Sequence, residues 1–410
     1  MEAFIKDQII ATLKYVPFHL AASYFKAKNA PEAEEARRKL GCGFIKGICH
    51  PSENYEQIKG AGIEWNRADI AFPFDEAGDI RQEYLDWKEK VRRYRAGGIR
   101  IMAVTPYPRT FIQYGIDPRT PEGEARVREI AVFLLEDLKG LAEAYQITNE
   151  MGHPQFTKPL TTKQAARFIG VQLEAMHPLR GDTLLGYNTA GPQADLHALM
   201  RPWHRYCDYV GIDLYIGSFV AHGNWMYMFD AMMRYLWSMT GKPVILCEFG
   251  YVSGGAPKSP EEKRAILRRY GVNSEEEARK NAGAFMERLK ELEPKMHAFI
   301  ERCATGAPLD YIFNSMFRNH FYREMPRGVL IKKYPHTSEG QADFYRDIFP
   351  RLDKLPFALG AFIYNWRDKD QCGYCGQIGC PQETRWGLVD PQQNEKPSYY
   401  AVRDALTKIQ

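Results

Sequence analysis

Two glutamates stand directly after short apolar runs, where an acidic side chain is costly unless it has partners. Glu150 ends the run AYQITNE, and Glu248 follows VILC in the run VILCEFG. Taken alone, each glutamate could be one half of a buried salt bridge, because desolvating an unpaired carboxylate costs free energy. Two such carboxylates on opposite sides of one cavity could instead have different catalytic roles. One would attack as a nucleophile while the other donates and accepts a proton.

The elements that would position this pair are predicted by an alternation of short apolar runs with longer segments of helical period. Such alternation is typical of βαβ units that build a parallel sheet. The predicted strands are Gly43–Ile48, Ile63–Ala68, Ile99–Val104, Ala144–Thr148, Leu184–Tyr187, Tyr209–Leu214, Pro243–Cys247 and Ala358–Tyr364. We therefore predict an α/β protein with a (β/α)8 TIM barrel, in which the two glutamates follow strands four and seven at the active-site mouth.

Two regions fall outside the regular repeat. Residues 1–40 are predicted to form an N-terminal helical extension, and residues 41–410 the catalytic barrel. Within the barrel, residues 252–356 form a long excursion between strands seven and eight. A loop of that length without structure of its own would argue against the assignment, so we predict a mostly helical insertion on the active-site face.

Composition narrows the function classes. The 410 residues carry a net charge of only +4 with no long basic run, which gives no support to nucleic-acid or membrane binding. No stretch is apolar enough to span a membrane and the N-terminus lacks the pattern of a secretory signal, so a cytoplasmic location is expected. The aromatic content of 13% suits either sugar stacking or simply a large core.

Both glutamate motifs resemble the signature of a known enzyme group. ITNE at 147–150 and LCEFG at 246–250 are similar to the strand-four and strand-seven motifs of glycoside hydrolase clan A, the retaining β-glycosidases. The closing segment RWGLVDPQQNEKPSYYAVRDAL resembles the end of family 5 and family 2 barrels. This resemblance implies that Glu150 is the acid/base and Glu248 the nucleophile, while no single family is indicated.

The resemblance also implies supporting residues. Asn149 matches the asparagine that hydrogen-bonds the sugar 2-hydroxyl, and Arg67 in GIEWNRADI matches an arginine beside the nucleophile. Tyr215 in VGIDLYIGS matches a tyrosine that donates to the nucleophile, and Trp366 in GAFIYNWRD matches the tryptophan beneath the reacting sugar. The alternatives are a purely structural ion pair for Arg67 and core packing for Tyr215 and Trp366.

Other polar or aromatic residues near predicted strand ends are weaker candidates for lining a sugar pocket. They are His50, Glu53, Tyr107, Arg109, His153, Asn188, His222 and Trp225. A lone histidine or tyrosine on a loop is more often an ordinary surface residue. Asn188 is the best of the group because NTAG directly follows an apolar strand.

Three cysteines near the C-terminus form a separate pattern. Cys372, Cys375 and Cys380 are spaced C-x2-C-x4-C, which could hold a structural zinc ion if a fourth ligand came from elsewhere. Free thiols and a local disulfide are the alternatives. No catalytic metal and no cofactor is expected, because clan A hydrolysis needs neither.

The leading prediction is a retaining β-glycoside hydrolase that works through a covalent glycosyl-enzyme, on small β-linked oligosaccharides or glycosides. A transglycosylase with the same residues and a non-catalytic carbohydrate-binding barrel stay open. The expected partner is a carbohydrate substrate. An oligomer is also open, since the aromatic stretch 313–321 could be either an interface or the core of the insertion.

Overall fold

The barrel closes from eight parallel strands in chain order. The computed structural model describes residues 3–25, 30–219, 226–304, 306–315, 317–325 and 333–409. The strands are β1 Ile45–Cys49, β2 Trp65–Asp69, β3 Arg100–Val104, β4 Ala144–Gln146, β5 Leu184–Ala190, β6 Tyr209–Leu214, β7 Val244–Phe249 and β8 Ala358–Ile363. The predicted (β/α)8 TIM barrel is confirmed, and each of the eight predicted strands overlaps its observed counterpart.

Helices surround the barrel and extend beyond it. Their bounds are α1 Ala3–Ser23, α2 Pro31–Leu40, α3 Tyr55–Gly60, α4 Gln82–Ala96, α5 Pro108–Gln113, α6 Pro121–Asp137, α7 Pro154–Thr157, α8 Thr162–Met176, α9 Ala194–Met200, α10 Met226–Thr240, α11 Pro260–Arg268, α12 Glu275–Lys280, α13 Ala282–Leu292, α14 Pro294–Cys303, α15 Pro308–Asn314, α16 Phe317–Tyr322, α17 Ser338–Leu352, α18 Pro381–Thr384 and α19 Pro397–Leu406. None of the helices in the described ranges is long and apolar enough to cross a membrane.

Helix α6 shows how local sequence sets these elements. Thr120 caps its first turn by accepting a hydrogen bond from the backbone N–H of Gly123 at 3.0 Å. Val127, Ile130 and Leu134 recur at spacings of three and four, and all three are buried in the barrel core. The apolar stripe therefore fixes which face of the helix packs against the strands.

The two N-terminal helices contact opposite ends of the barrel. Leu40 of α2 belongs to the barrel core, and the guanidinium of Arg37 donates to the backbone carbonyl of Ala358, where β8 begins, at 2.6 Å. Helix α1 reaches the other end, where the Gln8 amide donates to the carbonyl of Gly152 at 2.8 Å. Since α2 covers the amino ends of the strands, their carboxyl ends are left for a site.

The stretch 252–356 contains two kinds of helix. Helices α11 to α16 enclose a hydrophobic core of their own, in which Phe313, Phe317 and Phe321 are buried. Helix α17 instead belongs to the barrel layer, because Phe344 packs into the barrel core. The aromatic stretch that could have been an interface is therefore core of the insertion.

Candidate active site

The acid at the end of strand four sits on a tight backbone turn. Strand β4 ends before Thr148, and Thr148 and Glu150 both have positive φ, at 57° and 49°. Neighbouring strands hold this turn: the N–H of Thr148 donates to Thr105 Oγ1 at 3.0 Å, and the N–H of Glu150 donates to Asn188 Oδ1 at 2.9 Å. Left-handed backbone in residues other than glycine costs roughly 1–3 kcal/mol and persists only where surrounding contacts fix it.

The acid of strand seven has a cation and a hydroxyl as partners. Arg67 Nη1 lies 2.6 Å from Glu248 Oε1, and the Tyr215 hydroxyl donates to Glu248 Oε2 at 2.5 Å. The Glu248 side chain is largely buried, and that of Arg67 almost fully. Each carboxylate oxygen thus accepts a hydrogen bond, one of them from a buried cation.

Arg67 connects the two acids. Besides Glu248, its guanidinium donates to Asn149 Oδ1 at 2.6 Å and to Gln146 Oε1 at 2.9 Å. One planar side chain therefore reaches strand seven and the turn that carries Glu150. The flat, forked geometry of arginine suits this bridging in a way that a lysine ammonium cannot match.

Asn149 is fixed in one orientation. Its Oδ1 accepts hydrogen bonds from Arg67 at 2.6 Å, Asn188 at 2.8 Å and Gln146 at 3.2 Å. These donors place the amide nitrogen on the other side, where Asn149 hydrogen-bonds Tyr107. The amide N–H groups therefore lie on the side of Tyr107, opposite the three donors.

Glu150 forms a carboxyl–carboxyl pair with Asp213 on β6. Burial raises the pKa of Glu150 to about 8, and the charge of Glu248 adds to the rise, while Arg67 and the hydrogen bond with Asp213 oppose it. Burial, with the charges of Glu248 and Glu150, also raises the pKa of Asp213 well above its usual range. Asn188 donates to Asp213 Oδ2 at 2.6 Å, whereas Oδ1 is buried and has no other hydrogen-bonding side chain or backbone group assigned to it within the described ranges. Two carboxyls can bond in this way only if one carries a proton, so this pair holds a proton at neutral pH.

Strand register explains why three acids meet here. Asp213 is the pairing partner of Glu248 on the adjacent strand β7. Neighbouring strands lie about 4.8 Å apart. Asp213 therefore stands beside Glu248 while its carboxyl reaches Glu150, which brings the two glutamates into one small space.

Several of the weaker candidates line the mouth. The His50 ring meets that of Tyr364 edge-on at 5.8 Å, and desolvation lowers the pKa of its imidazole, against the charges of Asp69 and Glu248. Burial raises the pKa of Tyr107, with Asp69 acting in the same direction. His153 caps α7, just past the Glu150 turn, and burial lowers the pKa of its ring.

Trp366 lies away from this cluster. Its indole is fully buried, donates to Gln393 Oε1 at 3.4 Å and packs edge-on against Tyr399. Strand β8 ends earlier than expected, and Tyr364 is the aromatic residue that follows it directly. The Tyr364 ring is half-buried and meets Tyr215, the partner of the nucleophile candidate, edge-on at 5.8 Å. Of the two aromatic residues at this strand end, Tyr364 is the one whose ring contacts the partner of Glu248.

The remaining candidates take other places. Glu53 pairs with Arg93 on the exposed surface at 2.9 Å, outside the cluster. Arg109 stacks its guanidinium over the tyrosine ring two residues before it, 5.4 Å from the centroid. His222 and Trp225 lie outside the described residues.

Sequence reasoning missed several contributors to the site. Asp213 had a signal, because it is an acid inside an otherwise apolar strand, and Gln146 had the same kind of signal in strand four. Trp386 packs edge-on against Tyr215 at 5.2 Å, and no local pattern sets it apart from a core tryptophan. Tyr374 lies on the loop after β8, where burial and the charges of nearby acids, including both glutamates, raise the pKa of its hydroxyl. Nothing in the local sequence distinguishes it as a site residue.

Comparison with known proteins gives a result at the level of structure. No protein-family model and no curated protein matches the chain. Its solved structural neighbours are glycoside hydrolases. The GH53 catalytic domain of Ignisphaera aggregans matches with a TM-score of 0.56 at 17% identity, covering 89% of this chain and 96% of that one. A family 39 glycoside hydrolase from Bacteroides cellulosilyticus matches with a TM-score of 0.53 at 14% identity, covering 89% and 64%.

A β-glucuronidase from an uncultured Clostridium species matches with a TM-score of 0.52 at 13% identity, covering 90% of this chain and 50% of that one. The chain thus spans about half to two thirds of the length of some neighbours. At these identities the likeness establishes a shared barrel fold, in agreement with the resemblance to clan A. No single family within the clan is singled out.

Proposed function

We propose that the protein is a retaining β-glycoside hydrolase with Glu248 as nucleophile and Glu150 as acid/base. The observation that carries the proposal is the contrast between two carboxyl environments in one cavity. Glu248 accepts hydrogen bonds from the Arg67 guanidinium on one oxygen and from the Tyr215 hydroxyl on the other. Glu150 has a pKa raised to about 8, mainly by burial, so it holds a proton at neutral pH. Paired acids whose environments separate their protonation states are the basis of acid/base assignment in such enzymes.

In the first step, Glu248 attacks the anomeric carbon while Glu150 donates its proton to the departing glycosidic oxygen. The glycosyl ester on Glu248 carries no charge. Because the charge of Glu248 helps to raise the pKa of Glu150, ester formation removes that contribution and makes Glu150 easier to keep ionised. In the second step, Glu150 takes a proton from the water that attacks the anomeric carbon, and Glu248 leaves.

Asn149 supplies transition-state binding in this scheme. Its carbonyl oxygen is saturated by three donors, so its amide N–H groups are the part that can meet a sugar. A hydrogen bond to the sugar 2-hydroxyl strengthens as positive charge develops at the anomeric carbon, and so favours reaction over simple binding.

The substrate class follows from the shape of the mouth. The loop after β8 carries Tyr374 towards the two glutamates, and burial with the charges of Glu383, Glu150 and Glu248 raises the pKa of its hydroxyl. The helical insertion packs behind that loop. A wall on this side favours a pocket over an open groove, so we propose small β-linked oligosaccharides or glycosides as substrates.

The test is aglycone release from aryl β-glucosides, galactosides, mannosides, xylosides and glucuronides by wild type, Glu248→Ala and Glu53→Ala. Glu53 is a matched control, since it is an exposed glutamate paired with Arg93. Wild type and Glu53→Ala should turn over at least one glycoside, and Glu248→Ala should lose several orders of magnitude in kcat. Added azide should restore turnover in Glu248→Ala and yield the glycosyl azide of opposite anomeric configuration. If wild type binds sugars but cleaves none of the panel, the protein is a carbohydrate-binding barrel and the proposal fails.

A further inference from the structure

A second cluster of reactive side chains lies away from the two glutamates. The sulfur atoms of Cys372, Cys375 and Cys380 and a ring nitrogen of His320 all lie within 4.8 Å of one another. His320 Nδ1 is 3.5 Å from Cys372 Sγ and 3.6 Å from Cys380 Sγ. Tetrahedral zinc, with bonds of about 2.3 Å to sulfur and about 2.0–2.1 Å to nitrogen, separates neighbouring ligand atoms by roughly 3.5–3.8 Å.

The histidine supplies the fourth ligand that sequence spacing could not find. His320 lies on α16 in the insertion, 52 residues before Cys372 in the chain. Three thiolates and one imidazole form a set of ligands common in closed structural zinc sites. The fold thus supplies the fourth ligand that the C-x2-C-x4-C pattern lacks.

The loop is already shaped for a bound ion. The N–H of Cys375 points at Cys372 Sγ at 3.4 Å, a contact that favours a thiolate. The N–H of Cys372 donates to Gln377 O, and that of Gly376 donates to Cys372 O, both at 3.0 Å. Gly376 has φ of +73°, which glycine adopts without strain, so the chain turns back at this point to bring Cys380 to the group.

A disulfide or plain core packing accounts less well for these cysteines. All eight cysteines of the chain are free thiols in this structure. A disulfide would use two of the three and leave the third buried beside His320. The three cysteines could also be ordinary residues of the hydrophobic core. Core packing, however, does not explain why the half-buried imidazole of His320 directs a nitrogen at two of their sulfur atoms.

We propose that Cys372, Cys375, Cys380 and His320 bind one structural zinc ion. Four protein ligands close the coordination shell and leave no open position for substrate, so the ion has no part in hydrolysis. The site joins α16 of the insertion to the loop after β8, two segments that otherwise meet through side-chain packing in the insertion core. Zinc would therefore fix the insertion onto the barrel.

The same ion would position a wall of the mouth. Tyr374 stands between Cys372 and Cys375, and its ring meets His320 edge-on at 5.6 Å and Phe299 at 5.0 Å. Loss of zinc should loosen this loop and with it Tyr374.

Metal analysis of the full-length protein tests the proposal without reference to any enzymatic activity. Wild type purified from zinc-supplemented medium and dialysed should retain about one zinc ion per chain. X-ray absorption at the zinc edge should show three sulfur ligands at about 2.3 Å and one nitrogen at about 2.0–2.1 Å. Less than a tenth of an equivalent of zinc, or a shell with a different sulfur count, would overturn the proposal.

Variants locate the ion. Cys375→Ser and His320→Ala should each lower bound zinc at least tenfold, whereas Cys303→Ser, a half-buried thiol of the same insertion, should retain it. If a variant fails to fold, wild type can be stripped of zinc with a chelator and then resupplied with it. Its thermal midpoint should fall when zinc is removed and recover when zinc is restored. Full zinc binding by folded Cys375→Ser and His320→Ala contradicts the site. Two fewer than eight free thiols in the unfolded, unreduced protein would indicate a disulfide instead.

Discussion

The carboxyl of Glu150 is hydrogen-bonded to the carboxyl of Asp213, and burial raises the pKa of both acids. Asp213 also stands beside Glu248 on the neighbouring strand. The protonation of Glu150 therefore depends on both acids, in opposite ways. The charge of Glu248 raises its pKa, whereas the hydrogen bond from neutral Asp213 stabilises its ionised form and lowers it.

Replacing Asp213 should move the alkaline limb of the pH profile. In the proposed mechanism the required acid is protonated Glu150, so kcat/KM should decline above a pKa of about 8 in wild type. Asp213→Ala removes the donor to ionised Glu150, so the limb should shift upward, while Asp213→Asn, which can still donate, should shift it less. The measurement is kcat/KM against pH for all three proteins. A downward shift in Asp213→Ala would mean that Asp213 acts as a charge and not as a donor.

Replacing Glu150 should stabilise the protein in a pH-dependent manner. The pKa of Glu150 is about 8 in the folded chain, against about 4.3 expected in an unfolded one, so the folded state binds the proton more tightly. Folding stability must then fall as pH rises between these values. Glu150→Gln has nothing to titrate and should gain over wild type across that range, by roughly 3–4 kcal/mol between pH 5 and pH 8.

Urea unfolding of wild type and Glu150→Gln at pH 5 and pH 8 measures this gain. Glu53→Gln serves as the control, because Glu53 is exposed and its pKa is lowered by the hydrogen bond with Arg93. A stability difference between Glu150→Gln and wild type that stays constant with pH would show that Glu150 is not proton-bound in the folded state.

The two partners of Glu248 should differ in what they support. Arg67→Met leaves a buried carboxylate without its cation and breaks the bridge to Asn149, so it should cost about 3–5 kcal/mol of stability. Glu248→Gln in the same chain should recover part of that loss. Tyr215→Phe removes one hydroxyl and should leave the fold intact while lowering kcat on the order of 100-fold. Unfolding curves and initial rates separate the two effects, and an Arg67→Met protein as stable as wild type would contradict the ion pair.

Replacing the two aromatic residues at the end of β8 should affect different properties of the protein. Tyr364→Ala removes a ring that contacts Tyr215 and His50 at the mouth, so KM for a glycoside should rise about tenfold. Trp366→Phe changes a fully buried side chain away from the acids, so the thermal midpoint should fall with little change in KM. A large rise in KM that occurs only in Trp366→Phe would mean that Trp366, and not Tyr364, contacts the sugar.

The fold and the placement of both glutamates at the ends of strands four and seven could be predicted because their signals are local. Each apolar run that ends in a glutamate contains its own reason to be a strand end, and the alternation of runs with helical segments defines the barrel. Strand limits are less certain: β8 ends at Ile363, and the ring of the next residue, Tyr364, contacts Tyr215. Whether Tyr364 or Trp366 faces the cavity depends on the backbone at the end of the strand, and the sequence of the strand does not predict that detail.

Contacts between distant segments could not be predicted. Asp213 looks like any acid in a strand until register places it opposite Glu248. His320 and Cys372 are 52 residues apart, and only the folded insertion brings them together. Spacing within one motif cannot indicate such a partner.

The most direct test of the central claim is to trap the glycosyl-enzyme. A 2-deoxy-2-fluoro glycoside with a good leaving group, built on the sugar that the aryl panel identifies, should inactivate the protein with time and add one glycosyl unit to its mass. Peptide mapping should locate that unit on Glu248. Labelling of Glu150, Asp213 or any other residue, or turnover with inversion and no label, would contradict the account.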